Sequence, residues 1–428
     1  MKKLIIYSLG LLTCYHLHAQ VPVPAPDQAE PILLKGATIH LGNGEVIENG
    51  NVGFDKGLIT MVSSEAVDVA GYKVIDSRGK HIYPGFILVN TPLGISEVSS
   101  VRAMSDHAEQ GEYNPNVRSQ IAYNTDSENI PAFRFNGILL AESTPAGGIV
   151  SGTSSVMELE GWNWEDATHT KDVAIHLNWP ERMRGDFDYN TYTYSRIPNE
   201  KYDEEIAGLE KLFDEAKGYL SLSHADKNIK LEAMRGLFDG SQLLVVHTDQ
   251  AKTMVESIKF ARERGVQRVA IAGGDETLHI AGFLAENKVP VIIPAPHRVP
   301  ERDDDDYDLP YKLGALLTQK GVSVTLSHEG MLGNSRNLPF YAGTVVAHGL
   351  GKEEALKMIT SNPAAMLGIS DRVGTLEKGK EATLFISEGD ALDMRTNNLI
   401  RAFIKGKEIT LDGRQQWLYK KYSEKYGH

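Results

Sequence analysis

The chemically able side chains of this chain stand at the ends of apolar, strand-like runs. Leu243-Leu244-Val245-Val246 runs into His247, and Val324-Thr325-Leu326 runs into Ser327-His328-Glu329. Imidazole and carboxylate together can hold a divalent cation or move protons to and from water. A catalytic zinc asks for about three such ligands and one open position. Asp275 and Glu276 follow Val269-Ala270-Ile271-Ala272, and His297 follows Val291-Ile292-Ile293. Asn90 closes a further apolar run. Its amide can hydrogen-bond a ligand but is a poor zinc donor, and Pro92 cannot ligate at all. His328 and Glu329 are adjacent on a strand end, so they face opposite ways and one of them points inward. Ser327-His328 makes no nucleophile–base pair, which needs facing geometry and an orienting acid. No spacing rule brings these groups to one point. Glu142, His107 and His176 read as hydrogen-bonding loop residues. The run Asp303–Asp308 lacks the alternation and glycine of a calcium loop and reads as solvated. Gly147-Gly148 lacks a phosphate-loop pattern and reads as a tight turn. Trp162, Trp164 and Trp179 fit an aromatic wall or plain loop packing equally.

The elements that must position these groups follow from the apolar pattern. Eight strand-like runs fall at 84–91, 137–141, 153–159, 173–177, 242–247, 267–272, 289–293 and 322–327. Helical patterns separate several of them: Met254, Ile258 and Ala261 lie on one stripe, and 309–319 and 353–359 look similar. Strands alternating with helices imply a parallel sheet, and eight such units close a barrel. The runs 153–159 and 173–177 fit a hairpin as well as two parallel strands. Residues 199–236 form a charged helical insertion. Short β-branched runs punctuated by glycine and asparagine occupy 31–83 and recur near the C-terminus, as in Ala382–Ile386 and Leu399–Ile404. Two β-rich ends around an α/β body imply a small β domain assembled from both termini.

Tyr83-Pro84-Gly85-Phe86-Ile87-Leu88-Val89-Asn90-Thr91-Pro92-Leu93-Gly94 resembles the first barrel strand of the metal-dependent amidohydrolases. Leu338–Gly343, Gly351–Leu356, Thr360–Gly368 and Gly374–Leu384 resemble that family's last helices and its return into the β domain. The likeness covers most of 31–412 and is nearest in texture to the imidazolonepropionase-like and prolidase-like branch. It implies an α/β fold: a (β/α)8 TIM-like barrel at 84–377 and a small β-sandwich domain at 31–83 plus 378–412, with 413–428 as a tail. It also implies C–N bond hydrolysis on a metal held at strand ends. In the family the first strand ends in His-x-His; here Asn90 and Pro92 hold those positions and Leu88 the acid often found before them. His247 matches the strand-five metal histidine. The strand-six histidine is missing from Ile271–Glu276. On strand eight Glu329 keeps a carboxylate, as metal ligand and water-activating base, with His328 beside it. The likeness therefore implies a metal set of His247, Glu329 and His328, catalytic roles for Glu329 and His328, and substrate contacts from Asn90, His297, Asp275 and Glu276. It leaves two readings open. One is a hydrolase of non-peptide or cyclic amides with a single remodelled divalent-metal site, zinc by ligand type. The other is a metal-free binding subunit that pairs with itself or with an intact amidohydrolase.

Residues 1–19 read as an export leader: Lys2-Lys3, an apolar run Leu4–Thr13, and a small residue, Ala19, at the cleavage position. The expectation is an exported protein, periplasmic in a Gram-negative cell, with lipid anchoring at Cys14 as the alternative. Cys14 is the sole cysteine, so no disulfide framework arises. The formal net charge is −13, and loss of two lysines with the leader takes it to −15. Such a chain lacks the basic face that nucleic acid needs. No run after the leader is apolar for long enough to span a bilayer. The expected ligand is a small molecule.

Overall fold

The computed structural model describes residues 23–98, 100–189, 191–222, 226–328 and 330–427. The leader and Glu329 lie outside the described residues. Near the N-terminus come β1 (Ile32–His40), β2 (Val46–Asp55), β3 (Leu58–Ser63), β4 (Lys73–Asp76) and β5 (His81–Pro84). The barrel follows with β6 (Phe86–Thr91), β7 (Ile138–Ser143), β8 (Val150–Glu158) and β9 (Thr168–Asn178). A separate hairpin, β10 (Met183–Asp188) and β11 (Thr193–Pro198), precedes β12 (Leu243–His247), β13 (Val269–Ala272), β14 (Val291–Ile293) and β15 (Val324–Leu326). The chain ends with β16 (Leu384–Ser387), β17 (Leu399–Ile404), β18 (Lys407–Ile409) and a helix, Arg414–Tyr426, where the sequence reading placed only a tail.

The barrel sheet runs β6-β7-β8-β9-β12-β13-β14-β15. Its alternation is readable residue by residue. Ile87 and Val89, Leu140, Val156, Ala174, Val245, Ala270 and Ala272 and Ile292 share the interior core with Ala364, Met366 and Ile369. Phe86 and Leu88, Leu139 and Ala141, Leu244 and Val246, Val291 and Ile293 pack outward with the helices. This is the period of two that strands impose. The seam between β15 and β6 is stitched by an intervening segment. Ile87 N–H donates to the Ile359 carbonyl (2.9 Å), Leu326 N–H donates to Met358 (3.2 Å), and Ser327 Oγ donates to the Val89 carbonyl (2.8 Å).

One strand departs from the all-parallel expectation. β8 pairs antiparallel with both β7 and β9, with Ser143 opposite Ser155 and Ser154 opposite Ala174. The hairpin reading of the third and fourth runs is the one the structure adopts. The physical reason is connection length. Thr144–Ile149 is too short to carry a crossover helix back to the other end of the barrel, so the chain must reverse.

The small domain is one hydrogen-bonded sheet, β18-β17-β16-β5-β1-β2-β3, with β4 on the edge of β1. Leu34, Ile39, Val52, Phe54, Ile82, Leu384 and Phe403 form its own core. Among the described residues no helix is long and apolar enough to cross a membrane.

Candidate functional site

At the C-terminal end of the parallel strands a cavity of about 500 Å³ opens, the face on which barrel enzymes build their sites. Its wall includes Asn90, Glu97, His107, Asn129, Asn178, His247 and His328. The interior alternation delivers three polar groups beneath it. Glu142 stands two residues after Leu140 on β7, His176 two after Ala174 on β9, and His247 two after Val245 on β12. Each takes an inward slot that the strand otherwise fills with an aliphatic side chain.

The three form a line. Glu142 Oε1 meets His176 Nε2 at 3.2 Å, and His176 Nδ1 meets His247 Nε2 at 2.9 Å. Ser154 Oγ donates to Glu142 Oε1 (2.7 Å), and the Asn90 N–H donates to Glu142 Oε2 (3.1 Å). Burial by itself would raise the Glu142 carboxyl. The hydrogen bond and charge of His176, with the bonds from Ser154 and Asn90, outweigh it and hold the group below its ordinary value. His247 is pushed down to about 3, first by burial and then by His176, against the pull of Glu142. It is therefore neutral near pH 7. Its Nε2 is spent on His176, and the residue itself lines the cavity.

Asn90 reaches this arrangement through its backbone. Its φ is +52°, and the β6–β7 register slips between Leu88 and Thr91. Asparagine enters this left-handed region more readily than most residues. The bulge turns the Asn90 N–H onto Glu142, so residues 90 and 92 no longer share the plain strand alternation that a His-x-His clamp uses.

His328 lines the same cavity from the end of β15. Tyr341 Oη donates to the Asn334 carbonyl (2.9 Å) and lies 3.2 Å from His328 Nδ1. The Nδ1–H thus donates to Tyr341 Oη, and Nε2 is buried without a hydrogen-bond partner. Burial lowers this imidazole, with partial opposition from the Met331 backbone.

The remaining sequence candidates sit elsewhere. Asp275 is buried under a bidentate Arg298 and accepts the Glu301 N–H at 3.0 Å. Glu276 accepts the Ala251 N–H at 2.7 Å and so caps the helix Ala251–Glu263, whose own Gln250 supplies no side-chain cap. His297 lies 3.0 Å from Thr344 Oγ1 in a separate surface depression. Asn90, His247 and His328 are the named candidates brought to the cavity.

The sequence reads Glu142 and His176 as loop residues; the structure places both inside strands. The signal was an acid in the run Ile138-Leu139-Leu140-Ala141-Glu142 and a histidine in Val173-Ala174-Ile175-His176-Leu177. A polar group on the buried face of an apolar run must be partnered. In the sequence nothing in the neighbourhood of Glu97 sets it apart from a surface acid.

The described residues of the cavity do not form a metal cage. Nitrogens of His176 and His247 are spent on each other, and the first-strand and sixth-strand ligand positions carry Asn90, Pro92 and Ala272-Gly273. Among the described residues, the trio whose ligand atoms all lie within 4.8 Å of one another is Glu158, His169 and Glu381. That trio stands at the opposite end of the barrel, against the small domain. Arg372 pairs with Glu381 (2.6 Å) and Lys405 with Glu158, so both carboxylates already have cations.

The sequence profile of the Amidohydrolase family matches residues 196–409, half of the chain. This chain belongs to the amidohydrolase family. An amidohydrolase from Thermotoga maritima superposes with a TM-score of 0.77 at 22% identity, covering 89% of this chain and 99% of that one. A triazine hydrolase from Arthobacter aurescens superposes with a TM-score of 0.53 at 14% identity, covering 92% and 99%. These likenesses show the fold. A 5-methylthioadenosine/S-adenosylhomocysteine deaminase from Teredinibacter turnerae is 33% identical over 92 residues, 19% of this chain and 21% of that protein. The match thus spans about a fifth of that relative.

Proposed function

We propose that the protein hydrolyses a C–N bond of a small non-peptide or cyclic amide in the cavity above β6–β15, with proton handling moved from a first-strand metal clamp to Glu142–His176–His247. The observation that supports this is the unbroken line of hydrogen bonds from a buried carboxylate to an imidazole at the cavity wall. His247 presents neutral imidazole to a water or a scissile amide. A proton taken there is stabilised by His176 and, through it, by the Glu142 charge, the logic by which a carboxylate supports a base through histidine. The Asn90 amide offers both a donor and an acceptor, the complement of an amide, and Asn178, whose Nδ2 donates to the Gly148 carbonyl and Ser151 Oγ, adds an acceptor.

Hydrolysis of a panel of linear and cyclic amides, with and without a strong chelator, tests this. The expected result is activity that survives chelation and is lost in His247→Ala. Activity abolished by the chelator and restored by zinc would instead support a metal on His247, His328 and Glu329, and would overturn the relay mechanism. A second reading is also favoured by a specific observation. An imidazole pushed down to about 3 is a weak base near pH 7. On that reading the chain binds amides without cleaving them and pairs with a metal-competent relative; ligand binding with no turnover by any panel member would support it. Export through residues 1–19 is part of the proposal, and N-terminal sequencing of the secreted protein checks it.

A further inference from the structure

Glu97 lines the cavity and is the one carboxylate among its described lining residues, which include no lysine and no arginine. Its position is fixed. The Glu97 N–H donates to the Met104 carbonyl at 2.9 Å. Its Oε2 accepts from Ser127 Oγ (2.9 Å) and Asn129 Nδ2 (3.3 Å). Its Oε1 is buried and has no hydrogen-bond partner among the described residues. Arg134 is buried and paired with Glu160. A carboxylate built into place with one oxygen satisfied and the other unmatched is costly unless a ligand supplies a donor or a positive charge.

We propose that Glu97 is the cation-recognising group of the cavity, so that the ligand is a small amide carrying an ammonium or amidinium group and no carboxylate. This rests on the cavity being the amide site proposed above, and it names the class of amide. The carboxylate of an N-acyl amino acid or dipeptide would meet Glu97 with no described lining cation to offset it. A cationic amide would set its charge against the Glu97 carboxylate, the one acidic group among the described lining residues.

The test is calorimetric binding of three probes of matched size: N-(2-aminoethyl)acetamide, N-propylacetamide and N-acetylglycine. The expected order is cation, then neutral, then anion. The cation should bind about tenfold or more tighter than the neutral probe, the scale of one charged hydrogen bond. Glu97→Gln should erase that preference, while Glu109→Gln at the exposed surface keeps it. Thermal melts confirm that each variant is folded, and Glu97→Asp, shorter by a methylene, should retain part of the preference. Equal affinities, an anion preference, no binding of the cation, or an unchanged order in Glu97→Gln would each overturn the assignment. Cation binding without hydrolysis leaves this inference standing and removes the hydrolase reading. Hydrolysis of all three probes with no preference does the reverse.

Discussion

Replacing Glu142 by glutamine should invert the polarity of the hydrogen-bond line and change what His247 shows to the cavity. At a pH where each ring carries one proton, an acceptor-only carboxylate fixes every step. His176 Nε2–H donates to Glu142 Oε1, His247 Nε2–H donates to His176 Nδ1, and His247 Nδ1 is left as a bare acceptor. A glutamine has one acceptor and one donor end. The Asn90 backbone N–H cannot reverse, so the glutamine oxygen must take the Oε2 place and its NH2 the Oε1 place. Ser154 Oγ, 3.0 Å from His176 Nε2, can rotate to accept from the new NH2; facing that NH2 at the 3.2 Å Oε1 place, His176 Nε2 should then be the lone pair. Its Nδ1–H then donates to His247 Nε2, and the His247 proton moves to Nδ1. The cost is the loss of charge assistance in three bonds, about 1–2 kcal/mol, because charged hydrogen bonds are stronger than neutral ones by a fraction of that each. Glu142→Ala strands the Asn90 N–H and leaves His176 Nε2–H to Ser154 Oγ (3.0 Å) and Ser154 Oγ–H to the Ala174 carbonyl (3.4 Å), and should cost about 2–4 kcal/mol. Long-range 1H–15N correlation of the imidazoles distinguishes the tautomers, and denaturant midpoints give the costs. An Nε2–H tautomer at His247 in both proteins, or a Glu142→Ala cost under about 1 kcal/mol, would refute the linear arrangement.

At Asn90 the left-handed backbone predicts that Asn90→Gly is nearly neutral, whereas Asn90→Val costs about 2 kcal/mol or more, measured by urea unfolding. Gly94 has φ +79°, and a Cβ there would lie 2.4 Å from the Tyr123 ring, so Gly94→Ala should cost about 2–4 kcal/mol by the same measurement. Glu381 is buried, which by itself raises it, yet His169 and Arg372 hold it below its ordinary value. The stability this lends is present above pH 4.5 and disappears as pH falls through the lower folded value, so an acid-unfolding curve of Glu381→Gln should be flatter than that of the parent. Zinc should leave the melting temperature unchanged, because Arg372 and Lys405 already neutralise Glu158 and Glu381; a marked rise absent in His169→Ala would contradict that.

Much of the fold was legible because barrel strands are continuous apolar runs, and all eight are found where those runs fall. The direction of β8 was not fixed by its run, since apolar content says nothing about which way a strand points; only the six-residue loop before it carries that information. The site was less legible for a related reason. His247 and His328 close their strands and stand out. Glu142 and His176 act through each other across β7 and β9; their apolar runs mark each as needing a partner, but nothing local says which residue, 34 positions away, supplies it. Asp275 and Glu276 have the right residue types near the right strand end, but their charges are consumed by Arg298 and by a helix start.

The small domain has a consequence for how the molecule reaches its native state. β5 and β16 are neighbours in its sheet, yet Tyr83 and Asp390, which meet there, are 307 positions apart. Closing so long a loop by chance is entropically dear and slow. The barrel removes that search, since β6 continues directly from β5 and the barrel's end delivers β16 to the same edge. That layout favours completion of the small domain after the barrel, and an incomplete or lesioned barrel would leave β1–β5 with an open sheet edge exposed to other chains.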